Sequence, residues 1–325
     1  MAKTSFVCRA VAAAAALLAV AAPAHAAWPE RPVTIVVPYT PGGTVDLLAR
    51  SLGREMTKIW GVQIVIDNKP GAGGSAGAEI VARARPDGYT LLLSTNSPLT
   101  TNVALYPSLG YDPVRDFEPI LIAGENSVVL VANKDLPVTN IAELIALAKQ
   151  KPGALSAGTS GNGATTHLSL AEFNKRAGVD IVHVPYKGGV PSLTGAISGE
   201  VQLTFSDIVP AMPLVRDGRL KALGSTGARR AGIAPNVPTF AESGLPGFNL
   251  VAWVPFVAPK GTPADVVATI NSVANRILED AAVRKELQAL GIDTLGGTSK
   301  QLADFLASEM PRWKQIIVDA NVKIE

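Results

Sequence analysis

Residues 33–52, VTIVVPYTPGGTVDLLARSL, change their hydrophobic period at a Pro-Gly-Gly turn. Val33, Ile35 and Val37 are β-branched residues in a short apolar run, whereas Val45, Leu48, Ala49, Leu52 and Met56 recur at helical spacing. A strand therefore ends where a helix begins. Gly42 and Gly43 let a bound group approach the backbone, and the first turn of the helix presents free N–H groups at the positive end of its dipole. An anion suits such a place. So does a ligand-free strand-to-helix turn, since short glycine loops commonly join these elements.

The front of the chain sets the compartment. Lys3 and Arg9 flank a short charged start, 10–21 is an unbroken apolar run, and Ala24-His25-Ala26 has the small-x-small form of a cleavage site. A secretory signal peptide cleaved after Ala26 is the expectation, and with it a periplasmic product. A membrane anchor needs about 20 strongly apolar residues, while this run is shorter, rich in Ala and closed by Pro23. Cys8, the single cysteine, precedes the apolar run, where a lipid-anchor cysteine would follow it.

Cleavage removes Lys3 and Arg9 from the 29 basic residues and none of the 27 acidic ones, so the mature chain is near neutral. No Lys/Arg block and an aromatic content of 5% argue against nucleic acid as a partner. His167 and His183 are widely separated, with no H-x-x-x-H or cysteine pair, so no metal is expected and both read as ordinary polar or packing histidines. A chain of this length exceeds what one core usually serves, and two domains are expected.

After the first helix the pattern predicts strands over 62–66 and 89–93 with a helix over 76–84 between them, completing a βαβαβ order typical of a mostly parallel sheet. Asn140 and Glu143 have capping-box spacing and open a second series. In it, strands over 155–157, 181–184, 201–205 and 220–224 alternate with helices over 165–177, 191–198 and 209–216. A return strand is expected over 250–257, followed by helices over 263–278, 281–290 and 299–320. The expected fold class is α/β, with 27–124 plus 250–325 as one domain and 125–249 as the other, joined by two crossings.

Polar and glycine-rich loops follow several predicted strands, where open α/β sheets bind ligands. For any single Ser or Thr, an N-cap or turn role is the better reading. Their repetition at strand ends is what points to a ligand. Enzyme motifs are weaker. Gly71-x-Gly73-x-x-Ala76 formally fits a dinucleotide fingerprint, but Asp67–Pro70 separates it from its strand, and Ser94-Thr95-Asn96 stands where a ribose-binding acid belongs. No Gly-Lys-Ser/Thr follows a glycine-rich loop, and Gly158-Thr159-Ser160-Gly161-Asn162 lacks the last glycine of a nucleophile elbow. Binding without chemistry is the leading class, and no cofactor is expected.

The segments VTIVVPYTPGGTVDLLAR, IDNKPGAGGSAGAEIVARARPDGYTLL, GTSGNGATTHLSLAEF and VPYKGGVPSLTGAISGEVQLTFSD, in this order, resemble the Bug-type receptors of tripartite tricarboxylate transporters. The resemblance covers essentially the whole mature chain. It implies a two-domain periplasmic binding protein of Venus-flytrap type, monomeric, holding a small organic acid between its domains. It also implies delivery to a membrane permease of one large and one small subunit. Matching positions in the first domain are Tyr39, Pro41, Gly42, Gly43, Asp46, Gly73, Gly74, Ser75, Ser94, Thr95 and Asn96. In the second they are Ser160, Gly161, Asn162, Gly163, Thr166, His167, Tyr186, Lys187, Gly188, Gly189 and Asp207. The resemblance implies carboxylate capture largely by backbone amides and water, and these loops contain no arginine. Asp46 stays open between a ligand amine or hydroxyl and the start of its own helix, where an acid is stabilised without any ligand. Two other functions share these features: a ligand-dependent sensor with the same fold, and a secreted α/β enzyme, which would consume its ligand.

Overall fold

A computed structural model describes residues 28–106 and 108–319; the expected signal segment, its cleavage site and Cys8 lie outside the described residues. The first part of the chain runs β1 (Val33–Val37), α1 (Thr44–Trp60), β2 (Ile64–Asn68), α2 (Ser75–Ala82), β3 (Thr90–Leu93), the short α3 (Thr101–Leu105) and β4 (Phe117–Asn133). The middle comprises α4 (Ile141–Gln150), β5 (Ser156–Thr159), α5 (Thr165–Ala177), β6 (Val182–Pro185), α6 (Gly189–Ser198), β7 (Leu203–Asp207), α7 (Ile208–Arg216) and β8 (Leu220–Ser225). The chain then returns through β9 (Val251–Pro259), α8 (Ala264–Glu279), α9 (Ala281–Ala289), β10 (Asp293–Gly296) and α10 (Ser299–Asp319).

β4 organises this order. Its first part, from Phe117 to Ser127, pairs antiparallel with β9, and around Ile122–Glu125 its other edge takes β10. Its second part, Val128 to Asn133, lies antiparallel between β7 and β8. β1 pairs in parallel with β2 and β3, and β3 lies antiparallel to β9. β5 pairs in parallel with β6 and β7. One long strand thus belongs to two sheet regions.

Period-two burial explains why each region is covered on both faces. In β1, Val33, Ile35 and Val37 join the cluster made with Leu48, Leu52 and Met56 of α1 and Ile270 and Ala274 of α8, while Val36 joins Ala78, Val81, Leu92 and Leu302 on the other face. In β4, Val128, Leu130 and Ala132 pack with Phe173, Phe205 and Phe240, and the intervening Val129 and Val131 pack with Leu193, Ile208 and Met212. Truncating a fully buried Leu such as Leu48 to Ala costs about 2–5 kcal/mol. The last helix touches both regions: Leu302 lies in a cluster of the first, and Trp313, Ile316 and Ile317 lie in a cluster of the second.

The expected helix over 165–177 is α5, residue for residue. The expected strand over 62–66 is displaced to Ile64–Asn68, and β4 and β10 were not expected as strands. β4 carries Pro119 and Gly124, its register with β9 shifts near both, and its second half is buried on both faces, so it shows no polar alternation. At the start of α4, Asn140 Oδ1 accepts the Glu143 N–H at 2.9 Å, as a capping box requires. The Glu143 carboxylate, however, accepts the N–H and hydroxyl of Thr139, one residue further back.

Candidate functional site: two loop edges facing across β4

Strand register places the loops. β3 runs antiparallel to β9, with Leu93 opposite Phe256, and Phe256 is opposite Leu121, so the carboxyl ends of β1, β2 and β3 point toward Glu125 of β4. β7 approaches from the other side and ends with Asp207 opposite Val128, and β5 and β6 run parallel to it. The two sets of strand ends therefore face one another over the middle of β4, separated along it by about 20 Å. Loops from both sides enter that interval.

At the first edge, Asp46 is buried, and its carboxylate accepts the Gly42 N–H at 2.8 Å, Arg50 Nε at 2.9 Å and Asn68 Nδ2 at 2.9 Å. Burial alone would raise this carboxyl; the bonds from Arg50, Gly42 and Asn68 outweigh it and hold the group below its ordinary range. Asn68 also donates to the Tyr39 carbonyl at 3.1 Å. Asp46 thus has a local structural role: the acid ties the glycine turn to α1 and β2. The Tyr39 hydroxyl lies 2.5 Å from Thr95 Oγ1, and burial pushes the phenol up to about 12. A Cβ at Gly74, where φ is +93°, would stand 2.8 Å from that hydroxyl and 2.9 Å from Pro98. Tyr39, Gly74 and Thr95 are thus brought together. Ser75 is buried and accepts from Asn102 Nδ2 at 2.8 Å, which also holds the Gly73 carbonyl at 3.1 Å. Ser94 turns its hydroxyl to the Thr95 carbonyl. Asn96 is 1% exposed, and neither of its amide atoms has a protein partner among the described residues.

At the second edge, Thr166 Oγ1 accepts the Ser160 N–H at 2.9 Å and His167 Nδ1 accepts the Gly163 N–H at 3.2 Å. Thr159 Oγ1 accepts the Gly161 N–H at 3.3 Å and lies 2.7 Å from His183 Nε2. Burial, reinforced by the neighbouring His183, pushes the His167 imidazole down to about 4, and burial also lowers His183. Asn162 and Lys187 are exposed. The Tyr186 ring packs on glycine backbone instead: a Cβ on Gly158 or Gly195 would strike it. Gly188 and Gly189 form the start of α6, with a Cβ at Gly189 in ordinary contact only with Ser160 and Ser206 hydroxyls. Asp207 stands exposed at the end of β7, and desolvation raises its carboxyl.

The helix starts at the two edges share a property. α1 begins after Gly43, α2 after Gly74, α5 after Ala164, α6 after Gly188 and α7 after Asp207, and in none does a side chain cap the first amides. Away from the edges, Asn140 caps α4 and Asp280 caps α9, although α8 after Pro263 is uncapped as well. Pro41, Gly42 and Gly43 are exposed, and a Cβ at Gly43 would meet nothing nearer than the Thr40 carbonyl at 3.7 Å. Between the edges, the buried Asn126 of β4 has an unpartnered Oδ1, and so does the Ser160 hydroxyl. Sequence reasoning missed Thr159, His183 and Asn126. Asn126 was hidden because β4 was, and His183 because nothing in sequence ties it to Thr159.

Opposed loop edges with open helix starts, spanned by long strands, define a two-lobed α/β ligand-binding protein. The model of the tripartite tricarboxylate transporter family receptor matches residues 48–322, and the chain belongs to that family. BugT of Bordetella pertussis is 34% identical over 308 residues, covering 94% of each chain. An R. palustris protein solved with adipate is 36% identical over 91% of this chain and 99% of its own, with a TM-score of 0.77. MatC from Rhodopseudomonas palustris, with bound malate, is 35% identical over 89% of this chain and 100% of its own, with a TM-score of 0.72. Among the described residues no helix is long and apolar enough to cross a membrane.

Proposed function

We infer that this chain is a periplasmic receptor that captures a small carboxylate-bearing ligand between its two loop edges and hands it to a membrane permease of one large and one small subunit. The observation that carries the reading is the convergence of uncapped helix starts, at α1 and α2 from one side and at α5, α6 and α7 from the other. Each presents partial positive charge from backbone amides, which suits a carboxylate held by amides and water. The adipate and malate of the structural relatives are ligands of that chemistry. The family to which the chain belongs is one of receptors, which favours binding over catalysis.

The lobes follow 27–124 plus 250–325 and 125–249, with β4 and β9 as the crossings and the end of α10 resting on the second lobe. A ligand touching both edges favours the closed arrangement by the difference in its affinity for closed and open states. Native mass spectrometry of freshly purified protein, then a thermal-shift screen of dicarboxylates, tests this. Ligand at 100 times its dissociation constant adds about 2.7 kcal/mol, a rise in Tm of about 5–10 °C, with a smaller radius of gyration by scattering. A ligand chemically altered during incubation would replace this reading with an enzyme, and binding without compaction would remove the closure.

A further inference from the structure

His183 sits on β6, outside the loops, yet it reaches Thr159, one of the side chains that fix the start of the second-edge loop. Thr159 Oγ1 accepts the Gly161 N–H, so its single proton is free to go to His183 Nε2, 2.7 Å away. The oxygen keeps a second lone pair, so the bond forms in either direction and the tautomer of His183 decides which. His167 is the constrained ring, because its Nδ1 accepts the Gly163 N–H and must carry no proton. The two rings are stacked, with centroids 3.7 Å apart and planes 7° from parallel. Two neutral imidazoles tolerate that contact, whereas two imidazolium ions would repel strongly.

Resting on the carboxylate-site reading above, we propose that His167, stacked on His183, is a positioning residue: while its ring is neutral it holds residues 159–163 in the binding shape, and a proton on its Nδ1 releases the loop. A proton on His167 Nδ1 would set two N–H groups against each other where one bond now exists. A proton on His183 leaves its bond to Thr159 in place with the ring donating, and acts on the loop only through repulsion of a charged His167 stacked on it. The charged groups facing the pair are Lys175 of α5, Asp180 before β6 and Asp319 of α10, which line the adjoining cavity of about 390 Å³ with both histidines. Lys175 is paired with Asp319 at 2.5 Å, which leaves Asp180 as the acid to favour a proton on the pair. β5 contributes only Ser, Ala, Gly and Thr. Burial opposes that proton and keeps the pair neutral near pH 7.

The test uses the full mature chain. Amide-exchange protection of Gly161 and Gly163 is measured by NMR without ligand, and dissociation constants for adipate and malate are measured over the same range, pH 7 to 4.5. A ring whose pKa is near 6.5 when released and near 4 when latched predicts that Gly163 protection, corrected for intrinsic exchange, falls by roughly 50-fold. The double variant His167→Asn, His183→Gln supplies oxygen acceptors in place of the ring nitrogens and cannot titrate. It should hold its protection at pH 4.5, where the wild type loses it, and its affinity relative to neutral pH should not carry the extra loss seen in the wild type. His183→Phe keeps a stacked ring without the acceptor and should bind at least about tenfold more weakly at pH 7. Protonation of the dicarboxylate affects wild type and variant alike, so the ratio between them reads the loop. Protection that stays constant to pH 4.5 in the wild type, or falls equally in the double variant, overturns the proposal. If neither dicarboxylate binds at any pH, the receptor reading fails for these acids, and protection still decides the role of the pair.

Discussion

The first loop edge is fixed by an ionised group and the second by neutral ones. At the first, the Asp46 carboxylate gathers the Gly42 amide, the Arg50 guanidinium and the Asn68 amide. At the second, hydroxyls and imidazoles of Thr159, Thr166, His167 and His183 hold Ser160, Gly161 and Gly163. Both devices free backbone for a ligand by tying the loop from behind. They differ in what undoes them. A carboxylate below its ordinary range keeps its bonds until acid titrates it, whereas an imidazole accepting a hydrogen bond is vulnerable two or more pH units sooner.

The sharpest way to break the comparison is to block the first edge without touching its anchor. Gly43 has φ −76° and ψ 167°, extended backbone that any residue adopts, and open space where a side chain would stand. Gly43→Val should therefore fold normally, with Tm within about 2 °C of wild type, and lose about 100-fold in ligand affinity, equivalent to about 2.7 kcal/mol. Calorimetry and circular dichroism check both halves. Unchanged affinity would mean that the ligand does not use the start of α1.

Removing the anchor itself acts on stability. Asp46→Ala takes the acceptor from the half-buried Asn68 amide and the exposed Gly42 N–H and should lower unfolding free energy by about 1–2 kcal/mol, read from urea midpoints. Acid separates the two edges without mutation. The folded-state pKa of His167 is depressed from 6.5 to about 4, so its contribution is fully present above pH 6.5 and is lost as pH falls toward 4. Asp46, also depressed, contributes above its ordinary 3.8 and is lost only below it. Between pH 6.5 and 4, Tm should therefore decline in the wild type and decline less in His167→Asn, while Asp46→Ala keeps the wild-type slope.

How much of this was legible in sequence follows from the range of the interactions. The change of period at Gly43 gave β1 and α1, and α5 was readable because its apolar face and flanking glycines are local signals. β4 was not, since a strand buried on both faces shows no alternation and its Pro119 and Gly124 read as loop. Without β4 the two edges could be grouped only by resemblance, not by register. Asp46 shows the same limit in miniature. Its helix-start position was readable, but the bond to Asn68 depends on β2 lying beside β1. His183 fares worst, because its partner Thr159 lies on the adjacent strand, and pairing across parallel strands leaves no mark in either segment.

The smallest expected effect concerns Lys187, the one cation among the second-edge positions. Its side chain is exposed, and it forms no ion pair among the described residues. An exposed ammonium is screened by solvent, and its attraction for a carboxylate is worth about 0.2–1 kcal/mol. If the helix starts and water carry the contact, Lys187→Ala should weaken binding of a dicarboxylate by about threefold in dilute buffer. Raising the salt to about 0.5 M should shrink even that difference, since the screening length falls well below the range at which it acts in dilute buffer. Titration calorimetry at two ionic strengths measures it. A loss as large as that of Gly43→Val, persisting in salt, would invert the comparison: the second edge would then capture its ligand by a desolvated ion pair, and the open helix starts opposite would serve only to close over it.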